Sequence, residues 1–120
     1  MTKQSSTKRC PIAHSAGLFG DRWSLVIVRD MFMGKKRFSE FLESSEAITT
    51  SVLAARLNQL ESADLVKKAP YQSNPIRFEY SLTAKGRGLL PVLHALCEWG
   101  IRNFPNIRRP PDRFMTMKFE

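Results

Sequence analysis

Cysteine and histidine carry the most versatile chemistry in this chain, and they occur as two pairs about one helical turn apart, Cys10 with His14 and His94 with Cys97. Together they supply the ligand types of a tetrahedral zinc site. The spacings are not those of a zinc finger, and Cys97 beside Leu93, Leu96 and Trp99 suits a core or interface position, so neither a metal nor another cofactor is expected. Cys10 differs from the rest. Lys8 and Arg9 precede it and Pro11 opens a helix next to it; nearby positive charge and a helix start both favour thiolate. That setting suits a redox-sensing thiol, the plainer alternative being an inert thiol packed at a helix start. Catalytic constellations are missing from the sequence: it has no glycine-rich phosphate loop, no Ser–His–Asp set and no acidic cluster for Mg²⁺. Asp21 and Asp30 flank an apolar helix and fit capping or pairing. No enzyme is expected.

A second group of residues offers recognition rather than reaction. Leu53, Leu57 and Leu60 form an inward stripe on a helix that starts near Thr49, Thr50 and Ser51. The opposite face then carries Ser51, Ala55, Asn58 and Ser62, flanked by Ala54 and Gln59, with Arg56 at the margin. Small side chains permit close approach to base edges, and Arg56, Asn58 and Gln59 can hydrogen-bond to bases or phosphates. An amphipathic helix alone is more often merely solvated. Two further features favour nucleic acid: the basic turn Lys35-Lys36-Arg37, and a hairpin whose tip, Ser73 and Asn74, stands beside Arg77 with Lys67 and Lys68 in the facing strand.

The elements that must position these groups follow from periodicity and punctuation. Residues 1–9 read as a flexible basic arm. A helix is expected over Pro11–Phe19, ended by Gly20, and a central core helix over Trp23–Met33, capped by Asp21 and stopped by Gly34. A short helix with Phe38, Phe41 and Leu42 on one face precedes a polar connection, Glu43 to Ala47, and the amphipathic helix runs to about Ala63. The period then changes to two. Leu65–Tyr71 and Arg77–Leu82 read as strands joined by the turn Gln72-Ser73-Asn74-Pro75. Thr83 caps a long final helix reaching about Phe104 and bent at Pro91, and 105–120 reads as an irregular tail. The fold class is therefore mainly α (α+β): a winged helix-turn-helix over 10–104 with a two-stranded wing and a long C-terminal helix.

A net charge of +8 favours a polyanionic partner. No apolar run approaches the roughly 20 residues that span a bilayer, and Met1 to Arg9 lacks the apolar middle of a signal peptide, so the reading is a cytoplasmic protein that does not engage the membrane. Nearly all aromatics fall at core positions, Tyr71 excepted, which argues against a single-stranded RNA platform. A winged helix serving as a protein-interaction module without DNA specificity remains the alternative.

Several stretches resemble the HxlR-type winged-helix regulators, relatives of MarR-type proteins: Cys10-Pro11-Ile12-Ala13, Gly20-Asp21-Arg22-Trp23, Leu25 to Asp30, Arg37-Phe38-Ser39-Glu40-Phe41, Ile48 to Leu57, Tyr80-Ser81-Leu82-Thr83 and Gly86 to Leu93, closing on Trp99. The resemblance implies a bacterial transcriptional regulator that acts as a homodimer through its first and last helices. Double-stranded DNA carrying a roughly palindromic operator would be its partner. The helix face, basic turn and hairpin themselves give the expected DNA-binding set: Lys35, Lys36, Arg37, Thr49, Thr50, Ser51, Arg56, Asn58, Gln59, Ser73, Asn74 and Arg77. Cys10 aligns with a cysteine that many relatives use to sense oxidants or electrophiles, so a small reactive effector is implied without its identity.

Overall fold

The computed structural model describes residues 9–119; the arm expected at 1–9 falls outside them except for Arg9. In chain order the elements are α1 (Pro11–Phe19), α2 (Arg22–Phe32), α3 (Phe38–Phe41), α4 (Thr50–Ser62), β1 (Val66–Ser73), β2 (Ile76–Leu82), α5 (Ala84–Arg87), α6 (Leu90–Asn103) and α7 (Asp112–Met115). The expected winged helix-turn-helix is present.

Local chemistry explains the boundaries. Asp21 accepts hydrogen bonds from the backbone N–H groups of Trp23 and Ser24 and so caps α2. Gly34, at φ 103°, turns the chain out of α2 in a conformation that side chains disfavour. Thr49 caps α4 by accepting from the Val52 N–H, and Thr83 caps α5 by accepting from the Gly86 N–H. Where a single bent helix is expected after Thr83, there are two. Gly88 ends α5, and Pro91 lies in the first turn of α6, where the N–H it lacks would have no helical partner. Proline starts a helix here instead of bending one.

α2 is the central helix, as its apolar pattern implies. Its Ile27, Val28 and Met31 meet Leu53, Leu57 and Leu60 of α4 in a core completed by Phe41, Ile48, Leu65, Val66, Leu82, Leu89, Leu90 and Leu93. Each such leucine contributes about 1.5–3 kcal/mol relative to an exposed one. The two strands pair antiparallel from Val66↔Leu82 to Ser73↔Ile76, so the turn is tighter than the sequence suggests and only Asn74 and Pro75 lie outside the ladder. The register slips between Pro70 and Gln72, leaving Tyr71 as the extra residue of a bulge. Alternation along β2 follows expectation for Leu82, buried, and for Arg77 and Ser81, exposed.

The tail departs most from the sequence reading. Past Phe104 the chain returns to the body, and α7 inserts Phe114, 1% exposed, into the core. The ring stands edge-on to Phe32 and to His94, whose Nε2 donates to the Phe114 carbonyl at 2.7 Å. Proline-rich composition signals irregular backbone, but one aromatic at the right distance is enough to anchor it. Phe114→Ala should therefore destabilise the fold by about 3–5 kcal/mol, read as a lower urea midpoint; a change below about 1 kcal/mol would show that the tail is only laid on the surface.

Candidate nucleic-acid interface

α3, the turn after it and α4 form the helix-turn-helix. Thr49, Thr50, Ser51, Ala54, Ala55, Asn58, Gln59 and Ser62 are all exposed, as the leucine stripe requires. The first two turns of α4 hold no acid, and its small residues leave the backbone accessible to a groove about as wide as a helix. Asn58, Gln59 and Ser62 also border a recess shared with Gly17 and Leu18 of α1, so the C-terminal half of the expected face adjoins α1 while Thr50, Ser51 and Ala55 stand clear of it.

Arg56 is placed differently from expectation. Its Nε donates to Asp21 Oδ2 at 2.8 Å, tying the middle of α4 to the cap of α2. Partial burial raises the Asp21 carboxyl, but hydrogen bonds from Ser24 and Arg56 outweigh it and hold the group below its ordinary value. Arg56 thus orients the helix, and a contact to DNA would have to share its guanidinium with Asp21.

The turn into α4 is held in a similar way. Arg29 of α2 reaches Glu46 with Nη1 at 2.9 Å and Nη2 at 3.0 Å, while its Nε and Nη2 also donate to Asp30 at 3.0 and 2.7 Å. Ser44 Oγ donates to Glu46 at 2.6 Å. The bond from Arg29 is the main reason that the Glu46 carboxyl lies far below the usual carboxylate range, against the opposing effect of burial. This pairing crosses 17 residues of sequence and has no local signature.

The basic turn and the wing are joined. The Tyr80 N–H donates to the Lys36 carbonyl at 2.7 Å, and Arg37 bridges Glu79 of β2. The Arg37 Nε donates to Glu79 at 3.0 Å, with the guanidinium 3.8 Å from the Tyr71 ring centre. Lys35 lies 3.7 Å from Asp30, and Lys68 lies 3.7 Å from Glu61 and over the Phe78 ring. Among the described residues, Lys36, Lys67, Arg77 and also Arg22, at the start of α2, make no ion pair. Ser73 and Asn74 are exposed at the wing tip. Sequence reasoning passed over Arg22, whose exposure at a helix start could have been inferred from Asp21 as the cap.

Residues 18–108 match the HxlR-like helix-turn-helix family. The chain belongs to that family. It is a DNA-binding transcriptional regulator of the helix-turn-helix type, and its relatives are regulators rather than enzymes. A regulator of Synechocystis sp. is 38% identical over 91 residues, 76% of this chain and 67% of its own. Another, from Halalkalibacterium halodurans, is 36% identical over 105 residues, covering 87% of this chain and 93% of its own. The oxidised form of the redox regulator HypR superposes with a TM-score of 0.71 at 36% identity, over 79% of this chain and 98% of HypR. No helix among the described residues of this HxlR-family chain is long and apolar enough to cross a membrane.

Cys10 is exposed at the start of α1, and its carbonyl accepts from the His14 N–H at 2.9 Å. Cys97 is half-buried, and burial pushes its thiol up. Among the described residues, no group of three or more His, Cys, Asp or Glu side chains converges as metal ligands would.

Because folding depresses the Glu46 carboxyl, its contribution to stability is present above its ordinary value of 4.5 and is lost as pH falls below that. Urea unfolding should show Glu46→Gln to be less stable than the parent at pH 7, with the gap narrowing by pH 3. An equal gap at both pH values would mean that the charge of Glu46 contributes nothing.

Proposed function

We propose that this regulator binds a specific double-stranded operator as a homodimer. The observation that carries this reading is the outward face of α4, short, uncharged and exposed at its N-terminal end, in a helix-turn-helix whose wing carries an unpaired Arg77 beside α3. Thr49, Thr50 and Ser51 meet bases and adjacent phosphates at the floor of the major groove. Asn58, Gln59 and Arg56 contribute from the flank, Arg56 chiefly by orienting the helix. Ser73, Asn74 and Arg77 of the wing grip the backbone or the minor groove, with Lys35, Lys36 and Arg37 behind them. Arg37 acts mainly by bracing the wing through Glu79.

A dimer is supported by the apolar surface left on α1 and α6. Ile12 of α1 is 81% exposed, and Leu96 and Trp99 of α6 are exposed by 48% and 56%. Large apolar side chains gathered on the exposed faces of helices mark a surface that a second copy can cover. Two α4 helices about 34 Å apart then read successive turns of a roughly palindromic site. In the same dimer Cys10 immediately precedes α1, so oxidation or alkylation of its thiol changes the packing between subunits and with it the spacing of the two α4 helices. The likeness to a redox regulator supports this role, as does the exposure of the thiol.

Fluorescence anisotropy with a duplex from upstream of the protein's own gene, set against a scrambled duplex over a salt series, tests the reading. The native duplex should bind more tightly. Arg77→Ala and Lys36→Ala should weaken both duplexes alike, each making the log–log salt slope shallower by about 1. Ser51→Glu should abolish the preference while unfolding at the parent's urea midpoint. Equal binding of both duplexes by the parent would leave only nonspecific charge, and no binding at low salt would favour a protein-interaction module. For the sensor, diamide should lower the parent's DNA affinity and leave Cys10→Ser unchanged; an identical response in both would remove Cys10 from the mechanism.

A further inference from the structure

The anchored tail creates a space that the DNA-facing elements do not use. Between α2, α6 and the segment before α7 lies a cavity of about 300 Å³ lined by Arg29, Met33, Cys97, Arg108, Pro110, Pro111 and Phe114. Its size is at the lower end for small-molecule sites, about 300–1,000 Å³. The walls are a thioether, a phenyl ring, two prolines and a thiol that burial keeps protonated.

The two guanidiniums at its edge are not equivalent. Arg29 has all three nitrogens engaged by Asp30 and Glu46. Arg108 has only a 4.0 Å approach to Glu46, and its side chain is 75% exposed. It is therefore the cation able to take a new partner. Asp30 and Glu46 close by disfavour a multiply charged anion, and a neutral molecule gains less from Arg108 than a monoanion does.

We propose that this cavity binds a small, flat, apolar monocarboxylate, its carboxylate on Arg108 and its ring against Met33, Cys97, Pro111 and Phe114. The occupied site communicates with α4 through Glu46, which Arg108 and Arg29 share and which precedes Thr50 by one short turn. That communication rests on the proposed DNA binding; the site itself does not.

The test is an amide-detected NMR titration of the full chain without DNA, using benzoate and 2-naphthoate, with benzamide as the uncharged control. Saturable shifts are expected at Met33, Cys97, Arg108 and Phe114, with benzamide weaker than benzoate by about fivefold, the value of one exposed ion pair. Arg108→Gln should erase that discrimination at an unchanged urea midpoint. Cys97→Leu, which fills the cavity, should weaken all three probes. No shifts with either carboxylate up to 10 mM-scale concentrations (about the weakest binding worth the name) overturn the proposal. So does equal affinity for benzoate and benzamide, or unchanged discrimination in Arg108→Gln. A second arm adds saturating 2-naphthoate to the DNA titration. A shifted operator affinity supports the link through Glu46, and an unshifted one removes the link while the site stands. Failure of the parent to bind DNA counts against the proposed function alone, since the NMR titration does not depend on it.

Discussion

Two carboxylates on the core side fix where the recognition helix sits. Asp21 ends one turn of backbone and begins α2 by capping it, and the same oxygen accepts from Arg56 in the middle of α4. Glu46, in the turn before α4, is clamped by Arg29 from two turns further along α2. The leucine stripe supplies most of the energy that holds α4 down, but apolar contact has little directional preference. Charged hydrogen bonds at two separate points set the rotation and tilt of α4. Between those points Ala47 occupies a left-handed conformation, φ 61°, that costs an alanine about 1 kcal/mol or more. The Glu46 clamp beside it offsets that strain and keeps the turn in one shape.

The wing depends on the same economy of charge. A two-stranded hairpin is marginal by itself in water. Here the bulge at Tyr71 turns a ring under Arg37, whose Nε is held by Glu79, and the backbone of Lys36 joins β2 through Tyr80. The basic turn before α3 acts as a brace for the hairpin. Wing and recognition helix are thereby referred to one rigid frame, α2, through Lys35–Asp30 on one side and Arg56–Asp21 on the other.

What was legible in the sequence was what local chemistry decides. Caps at Asp21 and Thr83, the turn at Gly34 and the stripe Leu53-Leu57-Leu60 each act within a few residues and are where the pattern places them, while of the two threonines able to cap α4 the structure uses Thr49. The division of the last helix at Gly88 was legible in principle, since a proline is less costly in a first turn than in a helix interior. Phe114 was not, because a lone aromatic in a proline-rich tail has no periodicity to declare its burial. For the DNA-facing set, exposure followed from helix geometry, whereas the engagement of Arg56, Arg37 and Lys68 did not. Those partners lie far along the chain or across the strand pair, and charge counting treats a paired arginine and a free one alike.

That distinction alters how the net charge should be understood. A charge of +8 suggests a protein that grips phosphates over a broad surface. Around the helix-turn-helix, however, Arg29, Arg37 and Arg56 are bound to Glu46, Glu79 and Asp21, while Lys36, Lys67, Arg77, Arg22 and Arg87, which shares a recess with Lys36, make no ion pair among the described residues. Each cation held in this way is one fewer for phosphates. In the proposed operator complex, discrimination would then rest on close fit of short side chains against base edges, which tolerates little error in the placement of α4. With Arg29 and Arg56 holding that helix rather than reaching for phosphates, the proposed operator binding would favour selectivity over grip.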